Sequence, residues 1–272
     1  MLIKFEGLHG LGKTTLINQI KEKTYKEVII LSNFFRNTLK TLENIHYNVD
    51  RNTLQAAAMD KFLEFESFLL NLVRVNSNVF IITDRNIMDL FTYIYYYNLE
   101  RELEKLLIYA AHRLNDLYQN QLDNNVNKNH IIIHLNYGLP EDKNELEEVK
   151  KAIKFYAAKG DYDKIYSEDV GRLKTLGVNL EIGKKYKNIN KIVDTIVNDI
   201  SNFENSHKKA LAFLQKEAPD YYNFYANHTY YVPLTSFLKV YENESLFSLY
   251  EVRNEHILNN HLSFLMNSQK AL

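Results

Sequence analysis

A glycine-rich segment near the start of the chain carries the strongest chemical signal in the sequence. Residues 7–14 read Gly-Leu-His-Gly-Leu-Gly-Lys-Thr, which fits the pattern G-x-x-x-x-G-K-[ST] in full. Glycines let consecutive backbone N–H groups turn towards phosphate oxygens, while the lysine and threonine supply a cation and a hydroxyl for Mg²⁺. The pattern therefore predicts a nucleoside triphosphate site, formed by Gly7, Leu8, His9, Gly10, Leu11, Gly12, Lys13, Thr14 and Thr15.

The elements on either side of this segment would position it. Residues 2–5 form a short, largely apolar run typical of a strand. Residues 15–23 have helical spacing, with Leu16, Ile17 and Ile20 on one face. A phosphate bound by the loop would then lie at a helix N-terminus, where unpaired N–H groups and the helix dipole favour an anion.

Further along the chain, strand-like runs alternate with helical periodicity. Further strands are predicted at 27–31, 79–83, 130–135 and 178–182, and further helices at 35–42, 53–75, 88–97, 100–121 and 189–202. This alternation predicts an α/β fold with a parallel sheet flanked by helices, and ligands at the carboxyl ends of its strands. The alternation stops near residue 206, so we expect a phosphate-loop domain over 1–205 and a mainly helical extension over 206–272.

Composition excludes several classes of protein. The chain has no cysteine, which rules out disulfides and thiol nucleophiles. Its formal net charge of −1 argues against a nucleic acid polymer as partner. No apolar run approaches the ~18–20 residues of a membrane helix, and the start of the chain shows no signal-peptide pattern. We therefore expect no membrane association, with the cytoplasm as the default location.

Three blocks of residues give the chain a resemblance to a known family. Residues 5–15, with their Phe-Glu-Gly lead and double threonine, resemble the opening of the thymidylate kinase family and its deoxynucleoside kinase relatives. Residues 57–61 resemble the family's Ala-Ala-Asp-Arg segment, with Lys61 in place of arginine. Residues 82–93 resemble its Asp-Arg-Tyr block, with Asn86 in place of tyrosine. The resemblance extends over roughly residues 1–200.

The resemblance implies a P-loop kinase that uses Mg²⁺ and transfers the γ-phosphoryl group of ATP to a deoxynucleoside monophosphate, with dTMP the best single guess. It also implies site residues. The catalytic candidates are Lys13, Arg85, Glu6 and Asp84; the Mg²⁺ ligands are Thr14 and Asp84; and the acceptor-binding candidates are Arg85, Lys61, Arg36 and Tyr93. A guanidinium suits the acceptor phosphate because its planar fork matches phosphate oxygens bidentately.

Simpler interpretations of these residues stay open. Asp84 and Arg85 could form a surface ion pair, and Lys61 could be a solvated helix residue. Tyr93 lies among other tyrosines and could serve packing alone, and Arg36 could be structural.

Two histidines on the fourth predicted strand are candidate metal ligands. His130 and His134 share a predicted strand but have no evident third ligand, so no metal site is predicted there.

The segment after the fourth predicted strand departs from the family. Family members usually carry lid arginines there, whereas residues 136–171 contain none; the segment has Lys143, Lys150, Lys151, Lys154, Lys159 and Lys164 instead. An arginine finger contributes about 10³–10⁵ in rate, so slow catalysis, a lysine substitute and no catalysis all stay open. The proline and the acidic residues at the start of this segment are equally typical of a helix N-terminus, where they suit the helix dipole.

Two other functions remain alternatives. The first is a deoxynucleoside kinase, with Glu6 as the base on a 5′-hydroxyl. The second is a nucleotide-binding protein that has lost phosphoryl transfer and acts through residues 206–272. That extension could cap the core or form a homodimer contact.

Overall fold

Five parallel strands form the centre of the part of the molecule that the computed structural model describes, which comprises residues 1–8, 11–24, 26–31, 51–75, 79–119, 129–158, 189–238 and 246–266. The strands are β1 (Leu2–Gly7), β2 (Val28–Leu31), β3 (Phe80–Thr83), β4 (His130–Asn136) and β5 (Thr229–Pro233). Their order in the sheet is β2-β3-β1-β4-β5, and every neighbouring pair is parallel. The carboxyl ends of all five therefore lie at one edge, the edge at which parallel sheets bind ligands.

Helices flank this sheet. Within the described residues they are α1 (Lys13–Lys23), α2 (Arg51–Val75), α3 (Ile87–Tyr96), α4 (Glu104–Gln119), α5 (Lys143–Ala158), α6 (Ile189–Glu217), α7 (Pro219–His228), α8 (Thr235–Leu238), α9 (Leu246–Asn260) and α10 (Ser263–Met266). The longest of them, α6, packs against α3, α4, α5 and α7. No helix among the described residues is long and apolar enough to cross a membrane.

The two faces of β1 carry different residues because side chains alternate along a strand. Ile3 and Phe5 are fully buried and join the apolar core that includes α1 and α6. Lys4 and Glu6 are equally buried, and they belong to the opposite face of the strand. A central strand thus buries two charged side chains, which must find partners there.

The α/β fold expected from the sequence is confirmed. The four strands predicted before residue 136 are present, since each is a largely apolar run; β1, β3 and β4 are mostly buried, whereas β2 at the sheet edge is partly exposed. The predicted helix at 189–202 is longer and ends at Glu217. The helix predicted at 35–42 and the strand predicted at 178–182 lie outside the described residues.

The expectation that residues 206–272 are mainly helical misses one strand. β5 pairs in parallel with β4 from Thr229 opposite Ile132 to Pro233 opposite Asn136, at the edge of the sheet. Proline is acceptable there because an edge strand has one side without ladder hydrogen bonds. The division expected after residue 205 falls inside the continuous helix α6.

Candidate functional site

The phosphate loop begins where the backbones of β1 and β4 come very close. Gly7 has a φ of +116°, and a Cβ on it would lie 1.9 Å from the carbonyl oxygen of Leu135. Only glycine fits this position. Gly12, with a φ of 75°, is the N-cap of α1. The described parts of the predicted loop thus run from strand to helix as the sequence predicts, while His9 and Gly10 lie outside the described residues.

Lys13 lies at the first position of α1 and is almost fully buried. Its Nζ donates hydrogen bonds of 2.7 Å to the carbonyl oxygens of Gly7 and Leu8. The ammonium group is therefore held within the loop, next to the helix N-terminus. A buried cation beside unpaired helix N–H groups is the electrostatic environment that a phosphate chain requires.

Arg85 and Asp89 hold the first glycine of the loop from the side of β3. The backbone N–H of Gly7 donates to Oδ1 of Asp89 at 3.0 Å, and Nη1 of Arg85 donates to the carbonyl oxygen of Gly7 at 3.0 Å. The two side chains also form an ion pair of 3.4 Å. Burial raises the pKa of Asp89, and the charges of Arg85 and Lys13 oppose that shift. No role for Asp89 was predicted from the sequence; here its carboxylate positions the loop.

The residues suggested as Mg²⁺ ligands fit a hard cation in their chemistry and exposure. Thr14 is exposed in the first turn of α1, and Asp84 is partly exposed directly after β3. Mg²⁺ prefers one or two carboxylate or hydroxyl oxygens together with waters and substrate phosphates. These two side chains could provide such oxygens at the carboxyl edge of the sheet.

Glu6 lies in a closed network of hydrogen bonds beneath the loop. Nδ2 of Asn86 donates to its Oε2 at 2.7 Å, while Nδ1 of His134, at 2.7 Å, and the hydroxyl of Tyr225 both contact Oε1. Burial raises the pKa of Glu6, and His207, Tyr225 and Asn86 oppose that shift. Both carboxylate oxygens thus have protein partners.

Two buried imidazoles complete this network. Desolvation lowers the pKa of His134 to about 4 and that of His207 to about 3, so both rings are neutral at pH 7. Their ring centroids are 4.3 Å apart, and Nδ1 of His207 lies 3.1 Å from Oγ1 of Thr92.

The same residues correct the expectation that His134 lacks partners for a metal. Ligand atoms of Glu6, His134 and His207 all lie within 4.8 Å of one another, whereas His130 packs against Phe224 instead. Neutral imidazoles and a carboxylate are ligands for transition metals, yet here they hydrogen-bond with one another and their neighbours. The sequence missed the cluster because His207 comes from α6, 73 residues beyond His134.

The remaining acceptor-binding candidates occupy different environments. Tyr93 is buried and packs against Tyr96, Tyr97 and Phe203, with the Arg85 guanidinium 5.8 Å from its ring centroid. Lys61 is exposed on α2 and forms an ion pair of 2.8 Å with Glu64. The structure thus places Glu6, Lys13 and Arg85 at the loop and Tyr93 beside Arg85, while Arg36 lies outside the described residues.

The segment after β4 forms a helix in its described part. Asp142 caps α5 by accepting hydrogen bonds from the backbone N–H groups of Asn144 and Glu145. Lys150 and Lys151 form ion pairs with neighbouring carboxylates of the helix. Lys159 and Lys164 lie outside the described residues.

An arginine outside every predicted motif lies against the phosphate loop. Arg253 of α9 is fully buried, and its Nη2 donates to the carbonyl oxygen of Leu11. A lone arginine in an ordinary helix carries no motif, so only the fold reveals this contact.

Comparison with known proteins adds little to this geometry. No protein-family model matches the chain, and no curated protein matches it. One solved structure that it resembles is the tRNA delta(2)-isopentenylpyrophosphate transferase of Staphylococcus epidermidis, at 14% identity over 95% of this chain and 98% of the other, with a TM-score of 0.25. The fold assignment therefore depends on the sheet order and the phosphate loop of this chain.

Proposed function

We propose that this protein is a P-loop nucleotide kinase that transfers the γ-phosphoryl group of ATP to a deoxynucleoside monophosphate, with dTMP as the first candidate. The observation that carries the proposal is the environment of Lys13, a buried ammonium group at the N-terminus of α1, inside a loop that follows the central strand. Such a site favours a phosphate chain over other ligands because several N–H dipoles and one cation converge on it.

In the proposed reaction, an oxygen of the acceptor phosphate attacks the γ-phosphorus of ATP, the bond to the β,γ-bridging oxygen breaks, and ADP leaves. Lys13 and the loop amides hold the donor phosphates, and Arg85 binds the acceptor phosphate. Mg²⁺, bound through Thr14 and Asp84, would neutralise charge on the donor phosphates. The protein contributes positioning and charge neutralisation, which dominate phosphoryl transfer.

The network around Glu6 favours a monophosphate acceptor over a free nucleoside. A 5′-hydroxyl would need a base, and a base must have an oxygen within reach of the hydroxyl proton. Both oxygens of Glu6 already accept hydrogen bonds from Asn86, His134 and Tyr225. An acceptor phosphate is ionised at neutral pH and needs no such base.

The test is ADP release from Mg-ATP, measured across the deoxynucleoside monophosphates and the free nucleosides with a blank lacking acceptor. We expect turnover with one monophosphate and none with Lys13→Ala, whereas Lys216→Ala, at an exposed position, should retain wild-type turnover. Turnover with nucleosides alone would support the deoxynucleoside kinase instead. ATP binding without any transfer would support a nucleotide-binding protein that has lost catalysis. Unchanged turnover in Lys13→Ala would contradict the assignment of residues 7–14 as the phosphate loop.

A further inference from the structure

Arg253 is a fully buried cation whose side chain lies directly against the phosphate loop. Its Nη2 contacts the carbonyl oxygen of Leu11, and a Cβ on Gly12, the N-cap of α1, would lie 3.2 Å from that same nitrogen. The guanidinium carbon is 5.1 Å from the centroid of the Tyr250 ring. Thus α9, which follows in sequence 233 residues after Lys13, delivers a positive charge to the loop.

This positive charge lacks a negative partner in the described part of the chain. Nε and Nη1 of Arg253 are buried and have no hydrogen-bond partner there, and no described carboxylate forms an ion pair with the group. Burial lowers the pKa of Arg253 to about 10, which leaves it protonated at neutral pH. An unpaired buried charge is strongly unfavourable, so its presence points to an anion that compensates it.

The phosphate loop is where such an anion would lie. The hydrogen bond from Nη2 to the Leu11 carbonyl orients the peptide group that leads into Gly12 and the N-terminus of α1. Because the surroundings are buried, the field of the guanidinium is screened far less than that of a surface arginine. The positive charge would therefore act on loop phosphates whether or not it touches them.

We propose that Arg253 is a positioning residue for the triphosphate: it fixes the Leu11–Gly12 end of the loop and supplies charge that strengthens binding of the phosphate chain. This inference rests on the proposed function, because it assumes that the loop binds nucleotide phosphates. Linkage requires the converse as well, so that occupancy of the loop stabilises the docking of α9. Residues 136–171 contain no arginine. Under this proposal, Arg253 supplies an arginine charge to the phosphate site from the C-terminal part of the chain instead.

The test is binding of ATP, inorganic tripolyphosphate and adenosine by isothermal titration calorimetry to the wild-type chain and three variants. Arg253→Gln keeps a hydrogen-bond donor but loses the charge, Arg253→Lys keeps the charge, and Arg113→Gln removes an exposed charge from α4 as the matched control. We expect Arg253→Gln to weaken ATP and tripolyphosphate about 10- to 100-fold and to leave adenosine unchanged. Arg253→Lys should recover a large part of the loss, and Arg113→Gln should bind like the wild type.

Several results would overturn the inference. Equal tripolyphosphate affinity in folded Arg253→Gln and wild type would do so, and so would equal losses for tripolyphosphate and adenosine, which indicate a structural role only. If Arg253→Gln does not fold, amide hydrogen exchange of the wild type decides: tripolyphosphate should protect residues 246–260, and no protection contradicts the proposal. Failure of the wild type to bind ATP or tripolyphosphate at all would instead overturn the proposed function.

Discussion

Glu6 shows how one side chain at the end of the central strand organises the surroundings of the phosphate loop. Its carboxylate is contacted by Asn86 at the start of α3, His134 of β4 and Tyr225 of α7. Two of these partners hold further contacts: Oδ1 of Asn86 accepts from the backbone N–H of Ile87, and the Tyr225 hydroxyl lies 3.4 Å from Nε2 of His207. The members of such a network therefore depend on one another. We infer that Glu6 fixes the relative positions of these elements next to Lys13.

The two neutral imidazoles of this network should make stability depend on pH. Unfolded histidine titrates near ~6.5, whereas burial lowers the pKa of His134 to about 4 and of His207 to about 3. Below ~6.5 the unfolded chain binds protons that the folded chain does not, so the free energy of unfolding falls as the pH falls towards 4. Glu6, with its pKa raised by burial, acts in the opposite direction because the folded state protonates it first.

Between pH 7 and pH 5.5 we expect the free energy of unfolding to fall by about 1 kcal/mol for each of these histidines. Urea unfolding at both pH values measures this. His207→Gln should lose roughly half of the pH effect, whereas His256→Gln, at an exposed position, should keep it. An unchanged pH effect in His207→Gln would exclude a buried neutral His207.

Arg85 has two possible contributions that kinetics can separate. In the proposed function it binds the acceptor phosphate, so Arg85→Ala should raise the KM for the acceptor about tenfold or more and the KM for ATP much less. The side chain also donates to the carbonyl oxygen of Gly7 and pairs with Asp89. Equal increases in both KM values would show that Arg85 acts through the loop rather than on the acceptor.

At the scale of elements, β1 is joined to α2 and α4 by a buried polar cluster. Nζ of Lys4 forms an ion pair with Glu66, and the Tyr118 hydroxyl donates to the same carboxylate. Lys4 and Glu66 are almost fully buried. Removing one partner of such a pair strongly destabilises the fold. The intact pair, however, stabilises the fold little more than apolar residues of similar volume would.

Lys4→Met should therefore lower the free energy of unfolding by about 3–5 kcal/mol, because it leaves the Glu66 charge buried without its positively charged partner. The triple variant Lys4→Met/Glu66→Leu/Tyr118→Phe should recover most of this loss. Lys61→Met is the matched control, since its ion pair with Glu64 is exposed and its loss should change the free energy of unfolding little. Urea unfolding of the four proteins decides; a mild effect of Lys4→Met would contradict the buried pair.

How far the sequence predicts each element depends on how local its signal is. β1 to β4 are predictable because each is a short, largely apolar run, and Lys13 and Arg85 because they belong to local motifs. β5 is harder to predict, since Thr229–Pro233 is a short edge strand that ends in a proline and follows the helix α7. His207, Tyr225 and Arg253 could not be predicted, because their contacts with the site join residues more than 70 positions apart in the chain.

At the scale of the whole molecule, the C-terminal part completes the sheet. β5 pairs with β4, and Tyr225 covers Glu6 beside the phosphate loop. A fragment of residues 1–205 would expose β4 as a sheet edge and leave Glu6 without that hydroxyl. We expect this fragment to show no cooperative thermal transition by circular dichroism, in contrast to the full chain. A cooperative melt of the fragment at the same temperature as the full chain would instead establish residues 1–205 as an independent domain.

The continuity of α6 has a consequence for how the molecule can come apart. This helix of 29 residues is roughly 40 Å long and supplies buried side chains to both large apolar clusters, Val197 and Phe203 to one and Ala210 and Leu214 to the other. Between these two groups it carries His207 to the site and Glu204 to the backbone N–H groups that follow β4. Because one continuous helix belongs to both apolar clusters, unfolding of either cluster should destabilise the other. The site should be lost in the same event, since His207 lies on that helix.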